Sequence, residues 1–238
     1  MSIVDLFMPQ GIKCIFCRKE VGGFSICDKC YSNLKFIKGD VCSLCGGFSD
    51  NGKDSVCSEC IDKHSYYKKC YCVLSYDGDI LGKISEIKKD KKKYYIEPFA
   101  SLMADKFKEI NIDFDLILPI PITSDRLSDR GFNQAEELAK EINKISHKVY
   151  NNILLKSRDT YHQTGLGREE RMNNLNDSFM VTDKKLVKGK VILLVDDIYT
   201  TGSTINESAK TLKSAGAKEV YALCLCRTPL LKFINSKN

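Results

Sequence analysis

No stretch of the 238 residues approaches the ~20 consecutive apolar residues that a membrane-spanning helix requires, so no helical span is expected. The opening residues 1–13 carry Asp5 inside their apolar part and have no basic lead, so a secretory leader is not expected and a cytoplasmic location is. A Gly-Lys-Ser/Thr triplet is also missing, which excludes a Walker-type nucleotide loop. The length allows one large domain or a domain with a small appendage, and a hydrophobic content of 43% is ordinary for a globular chain.

What the chain has is cysteine, twelve in all. Without a secretory route, these point to metal rather than to disulfides. Four Cys-x-x-Cys pairs fall within residues 14–60: Cys14 and Cys17, Cys27 and Cys30, Cys42 and Cys45, Cys57 and Cys60. Each pair can present two sulfurs to one ion, and two pairs complete a tetrahedral, closed, structural zinc site. Two zinc ions are therefore expected, grouped either sequentially, which short loops favour, or cross-braced. Closed four-thiolate sites leave no open position, so these zincs are structural and not catalytic. So small a module has little core of its own, and metal binding supplies its folding free energy.

Zinc also changes the meaning of the charge. Eight thiolates holding two Zn²⁺ bring the formal +6 down to about +2, so only local clusters can argue for an anionic partner. Two clusters stand out. Lys63–Lys69 interleaves basic and aromatic side chains, which suits stacking and phosphate neutralisation on single-stranded DNA. Lys88–Lys93 is either a solvated face or a phosphate-facing surface. His64 reads as an exposed linker residue beside a full cysteine complement.

The remainder organises around residues 192–204. Ile192–Val195, preceded by Val191, is an uninterrupted aliphatic run and reads as a parallel strand buried on both sides. Asp196 and Asp197 follow, then Ile198 and the turn Tyr199–Thr204, then a helical pattern from Ile205 to Leu212. A hydroxyl- and glycine-rich turn at a helix N-terminus is a phosphate cradle, in which Thr200, Thr201, Gly202, Ser203 and Thr204 supply backbone N–H groups and hydroxyls. Carboxylates there would repel a phosphate, so Asp196 and Asp197 need another task, such as accepting hydrogen bonds from sugar hydroxyls. An ordinary capped turn would explain Ser203 or Thr204 but not the paired acids.

Other elements fit an α/β sheet. Tyr71–Tyr76 and Val220–Cys226 read as strands, with Cys70, Cys72, Cys224 and Cys226 as buried small hydrophobes on their faces. A helix is expected from Ile80 and another through Phe99, Leu102, Met103 and Phe107. Leu116–Pro119 is a short apolar strand; a polar turn through Arg126 and Arg130 follows it, and then a helix over Ala135–Ile145. Loops at the carboxyl ends of two such strands share one crevice. The Arg158–Arg171 block is rich in glycine and charge with little apolar periodicity, as in a mobile lid, and it holds Arg158, Gln163 and Arg171.

Residues 192–204 resemble the 13-residue motif of the type I phosphoribosyltransferases: four hydrophobics, two acids, one hydrophobic, then x-T-T-G-x-T. The resemblance implies that the acids hold the ribose hydroxyls of phosphoribosyl pyrophosphate, that the turn holds its 5′-phosphate, and that Mg²⁺ accompanies the ligand. The R-x-x-x-RGFNQA run from Arg126 to Ala135 is similar to that of the ComF family of competence-associated proteins. So is the block of Arg158, Thr160, Gln163, Leu166, Arg171, Asn174 and Phe179, and so is the cysteine-rich start. Ser128 departs from the family, which often places a further Arg between Arg126 and Arg130.

This resemblance puts the loop after Leu116–Pro119 where pyrophosphate binds, with Arg126 and Arg130 as bidentate contacts. It implies a type I phosphoribosyltransferase-like parallel sheet flanked by helices over 70–238, and a double zinc ribbon over 1–69. It also implies a role in DNA uptake and natural transformation, with single-stranded DNA and competence proteins as partners. The other class of function is an active phosphoribosyltransferase of nucleotide salvage or amide transfer. No base-recognition hood can be assigned for that class, and the cysteine ribbon stands where a hood would.

Overall fold

A computed structural model describes residues 12–22, 25–89, 93–156 and 178–230. In chain order, the described elements begin with a short helix α1 (Asp28–Ser32), strand β1 (Cys70–Ser75), and helices α2 (Asp79–Lys89) and α3 (Ile96–Lys108). Next come β2 (Leu116–Pro119), α4 (Ser124–Arg130), α5 (Gln134–Ser146), β3 (Val149–Tyr150), β4 (Leu154–Lys156) and β5 (Phe179–Val181). The last are α6 (Lys184–Val187), β6 (Val191–Tyr199), α7 (Ser203–Ser214) and β7 (Glu219–Arg227). The lid block with Arg158, Gln163 and Arg171 lies outside the described residues.

Five strands form one parallel sheet in the order β1-β7-β6-β2-β3, while β4 and β5 form a separate antiparallel pair. This is the α/β architecture expected from the sequence. The aliphatic run of β6 is central because both of its neighbours supply parallel partners: Leu118 lies opposite Leu194, and Leu194 opposite Ala222. Ile192, Leu193, Leu194 and Val195 are all fully buried, half toward each face. On one face they meet α7 through Ile205, Ala209 and Leu212; on the other they meet α2, α3 and α5 through Ile84, Phe99, Met103, Leu138 and Ile142.

The two cysteine-rich segments are divided between these faces. Ile15 and Ile26 of the first belong to the core under α2 and α3, whereas Cys42, Cys45, Cys57 and Cys60 of the second belong to the core under α7. Between them, residues 35–37 cover the outer edge of β1, with Ile37 N donating to Val73 O at 2.9 Å and Ser75 N to Lys35 O at 2.9 Å. An otherwise open strand edge is thereby closed by the ribbon segment. Gly46 lets the second cysteine-rich segment approach the start of β1, where Cys70 N donates to Leu44 O at 2.8 Å. Its φ is +67°, and a Cβ there would run into the Cys70 carbonyl.

Two elements differ from the sequence expectation. The central strand does not stop at the acids: pairing with β7 continues through Asp196 and Ile198 to Tyr199, opposite Arg227. The carboxylates therefore sit on rigid strand, not on a turn. The polar turn through Arg126 and Arg130 is a two-turn helix, α4, started by the Thr123 hydroxyl accepting from Arg126 N. Thr123 is a good N-cap, and the short apolar content of this stretch hides its helicity from periodicity.

Candidate ribose-phosphate site and zinc ribbon

The candidate residues gather at the carboxyl ends of β2 and β6, neighbours in the sheet. On β6, Asp196 Oδ1 accepts from Asp197 N at 2.8 Å, which fixes the first carboxylate against the backbone of the second. Burial, and then the adjacent charge of Asp197, push the Asp196 carboxyl well above the usual carboxylate range. A pair of acids in that condition favours an incoming donor or cation. Asp197 Oδ2 is buried and pairs with Lys88 Nζ from the end of α2 at 2.6 Å.

Directly beyond the acids, Tyr199 ends the strand, and residues 200–202 turn into α7. Thr200 is exposed, and Thr201 Oγ1 lies 2.8 Å from Ser203 Oγ and accepts from Ser203 N at 3.3 Å. Gly202 is the N-cap of α7 with φ +81°, so the free N–H groups of a 12-residue helix open onto this turn. A side chain at Gly202 would collide with the phenol of Tyr199. That phenol cannot step aside: Tyr199 is 1% exposed, its Oη lies 2.7 Å from Tyr67 Oη, and the Arg227 guanidinium stacks 4.8 Å from its ring centroid. Burial raises both phenols above their ordinary pKa, so the pair stays neutral.

The ribbon segment thus braces the turn between β6 and α7, a connection that local sequence patterns did not reveal. Lys63 Nζ donates to Thr201 O at 2.9 Å. Tyr66 N donates to Asn206 Oδ1 at 2.8 Å, and Asn206 Nδ2 to His64 O at 3.2 Å. Arg227, 3% exposed, donates from Nη2 to Glu59 Oε2 at 2.9 Å and from Nη1 to Thr228 O. Burial works to lower the Arg227 pKa, but the neighbouring Cys45 sulfur and Glu59 carboxylate outweigh it. Between ribbon and turn lies a cleft of about 710 Å³, with Tyr66, Thr201, Gly202, Ser203 and Lys210 among its walls.

Arg130 Nη1 donates to Gln134 Oε1 at 3.3 Å, and its charge opposes that of Lys88. Arg126 lies one helical turn away on α4. Of the lysine clusters, Lys63 holds Thr201, Lys68 pairs with Glu219 at 3.3 Å, and Lys69 sits over the Tyr71 ring. Lys88 pairs with Asp197, and Lys93 with Glu137 at 2.8 Å; residues 90–92 lie outside the described set.

The cysteines gather sequentially, Cys14, Cys17, Cys27 and Cys30 in one group and Cys42, Cys45, Cys57 and Cys60 in the other. Within each group the sulfurs lie within 4.8 Å of one another, with Cys17 and Cys27 at 3.6 Å and Cys45 and Cys57 at 3.8 Å. Those separations match the edge of a sulfur tetrahedron around an ion with bonds of about 2.3 Å, so each donor set fits structural zinc. The second set is wholly buried, while Cys17 of the first is exposed. Cys70, Cys72 and Cys224 also cluster, fully buried in the sheet, and Cys226 belongs to the opposite core.

A family model of the phosphoribosyl transferase domain matches residues 96–232, and a model of the double zinc ribbon domain matches residues 3–61. Competence protein F of Haemophilus influenzae is 26% identical over 231 residues, covering 94% of this chain and 93% of its own. Competence protein ComFC of Bacillus subtilis is 29% identical over 211 residues, covering 85% and 84%. The DNA utilization protein YhgH of Escherichia coli is 27% identical over 223 residues, covering 90% and 96%. These likenesses run through ribbon and sheet alike.

Proposed function

The chain belongs to the phosphoribosyl transferase domain family, and from that premise we propose that it is a ComF-type protein of DNA uptake and utilisation that binds phosphoribosyl pyrophosphate. One observation carries this reading: on a single rigid strand, two carboxylates precede a glycine-capped helix N-terminus, and the helix after the neighbouring strand carries Arg126 and Arg130. Asp196 and Asp197 accept from the ribose hydroxyls. The N–H groups of residues 202–204 and the hydroxyls of Thr201 and Ser203 hold the 5′-phosphate, where the helix dipole favours an anion. Arg126 and Arg130 reach toward the diphosphate. The carboxylate pair suits a Mg²⁺-bound ligand, and the ion would supply further charge neutralisation there.

The same site serves an active transferase. There the departure of pyrophosphate leaves positive charge at ribose C1, which the two carboxylates would stabilise by preorganised electrostatics. Pyrophosphate release in the presence of an acceptor distinguishes turnover from binding alone. Single-stranded DNA is the further partner, in keeping with the names of the relatives. Because Lys63, Lys68, Lys69, Lys88 and Lys93 all hold internal partners, a strand has to compete with those contacts to use them.

A thermal-shift screen of phosphoribosyl pyrophosphate, ribose 5-phosphate, nucleotides and oligonucleotides, each with Mg²⁺, tests the reading. Phosphoribosyl pyrophosphate at 100 times its dissociation constant should add ~2.7 kcal/mol, a rise of several degrees. No shift with any phosphorylated ribose would refute it.

A further inference from the structure

Lys88 has the local signature of a solvated lysine run, yet its side chain turns back onto the carboxylates. It stands in the last turn of α2, whose buried residues Ile80, Ile84 and Ile87 seat the helix on the sheet and direct its end at Asp197. The Nζ lies 2.6 Å from Asp197 Oδ2, with side chains 27% and 16% exposed. Burial works to lower the pKa of this amine, but Asp197, with Asp196 behind it, more than compensates and holds it as ammonium, while Arg130 opposes. The acids thus meet one paired cation, Lys88 from α2. The ion pair therefore occupies the carboxylate that the ribose reading assigns to a sugar hydroxyl.

Resting on the ribose reading above, we propose that Lys88 is a ligand-contacting residue that selects a ribose bearing a diphosphate at C1 over ribose 5-phosphate. In the free protein the ammonium holds Asp197. When a ribose hydroxyl takes that carboxylate, the ammonium turns to the diphosphate. Lysine suits the task, since its charge is compact and carries three donors on a flexible four-carbon stem. Its place at a helix end lets it turn without disturbing the strand. A ligand with the diphosphate replaces the contact it breaks by a stronger one, to a group of higher negative charge, whereas ribose 5-phosphate breaks the contact and returns nothing. Removing the ammonium should therefore move the two affinities in different directions.

The test is calorimetric titration of the full chain with phosphoribosyl pyrophosphate and, separately, ribose 5-phosphate, at fixed Mg²⁺. Wild type, Lys88→Met and Lys88→Arg are compared, with the melting temperature checking the fold. Lys88→Met should bind the diphosphate ligand about tenfold or more weakly, as expected for the loss of a charge-assisted contact, and bind ribose 5-phosphate as well as wild type or better. Lys88→Arg should recover most of the diphosphate affinity. Should the Met variant not fold, Lys88→Gln, which keeps a donor for Asp197, carries the same expectation. Equal weakening of both ligands, or no change in either, overturns the role of Lys88 and leaves the ribose reading standing. Wild type binding neither ligand overturns both.

Discussion

A chain carrying Cys57→Ser is expected to lose one of two zinc ions and to melt roughly 10 °C lower, whereas Cys17→Ser should lose one ion at a much smaller cost in stability. The two sites differ in what surrounds them. Cys57 is fully buried with Cys42, Cys45 and Cys60 in the cluster that also holds Ile192, Leu194 and Leu212, while Cys17 is exposed. Losing the ion unfolds the ribbon around it, since metal binding is that small module's folding energy. The cost passed to the sheet is that of a buried Arg227 left without Glu59 of the second ribbon, about 3 kcal/mol or more. At ~2–4 °C per kcal/mol for a chain of this size, the midpoint falls by roughly 10 °C. Metal analysis beside a melting curve checks both halves. Equal melting of the two variants would mean that the second ribbon does not share the core of the sheet.

Gly202→Ala should abolish binding of any 5′-phosphorylated ribose while leaving the zinc content unchanged. The left-handed conformation at this position, φ +81°, costs a non-glycine residue of order 1–3 kcal/mol by itself. The added methyl group also strikes the Tyr199 phenol, which Tyr67 and Arg227 hold in place. The turn must then move, and with it the N–H groups at the start of α7. Isothermal titration with ribose 5-phosphate reads the effect. Affinity at wild-type strength would place the phosphate elsewhere.

What local sequence showed and what it concealed divide along a physical line. The Ile192–Val195 run, the paired acids and the Thr-Thr-Gly turn are legible because each is contiguous and its chemistry is carried by neighbours in the chain. The cysteine sets are legible for the same reason, since metal-ligand spacing is local. The contacts that connect ribbon to turn are not local: Lys63 to Thr201, Tyr67 to Tyr199 and Glu59 to Arg227 each span more than 130 residues. A lysine at a helix end has the same neighbours in sequence whether it is solvated or paired, so sequence alone places Lys88 with its run and not with Asp197. The strand's continuation to Tyr199 was hidden because β7 pairing, not apolar content, extends it past the acids.

The central claim is that Asp196 and Asp197 hold the ribose of a phosphoribosyl ligand, and calorimetry of Asp197→Asn tests it most directly. Asparagine keeps the shape and removes the charge, and hydrogen bonds to charged groups are worth ~1.5–3 kcal/mol. Phosphoribosyl pyrophosphate and ribose 5-phosphate should both weaken by roughly one to two powers of ten, while inorganic pyrophosphate binds almost as it does to wild type. Wild-type affinity of the Asn variant for phosphoribosyl pyrophosphate would contradict the account.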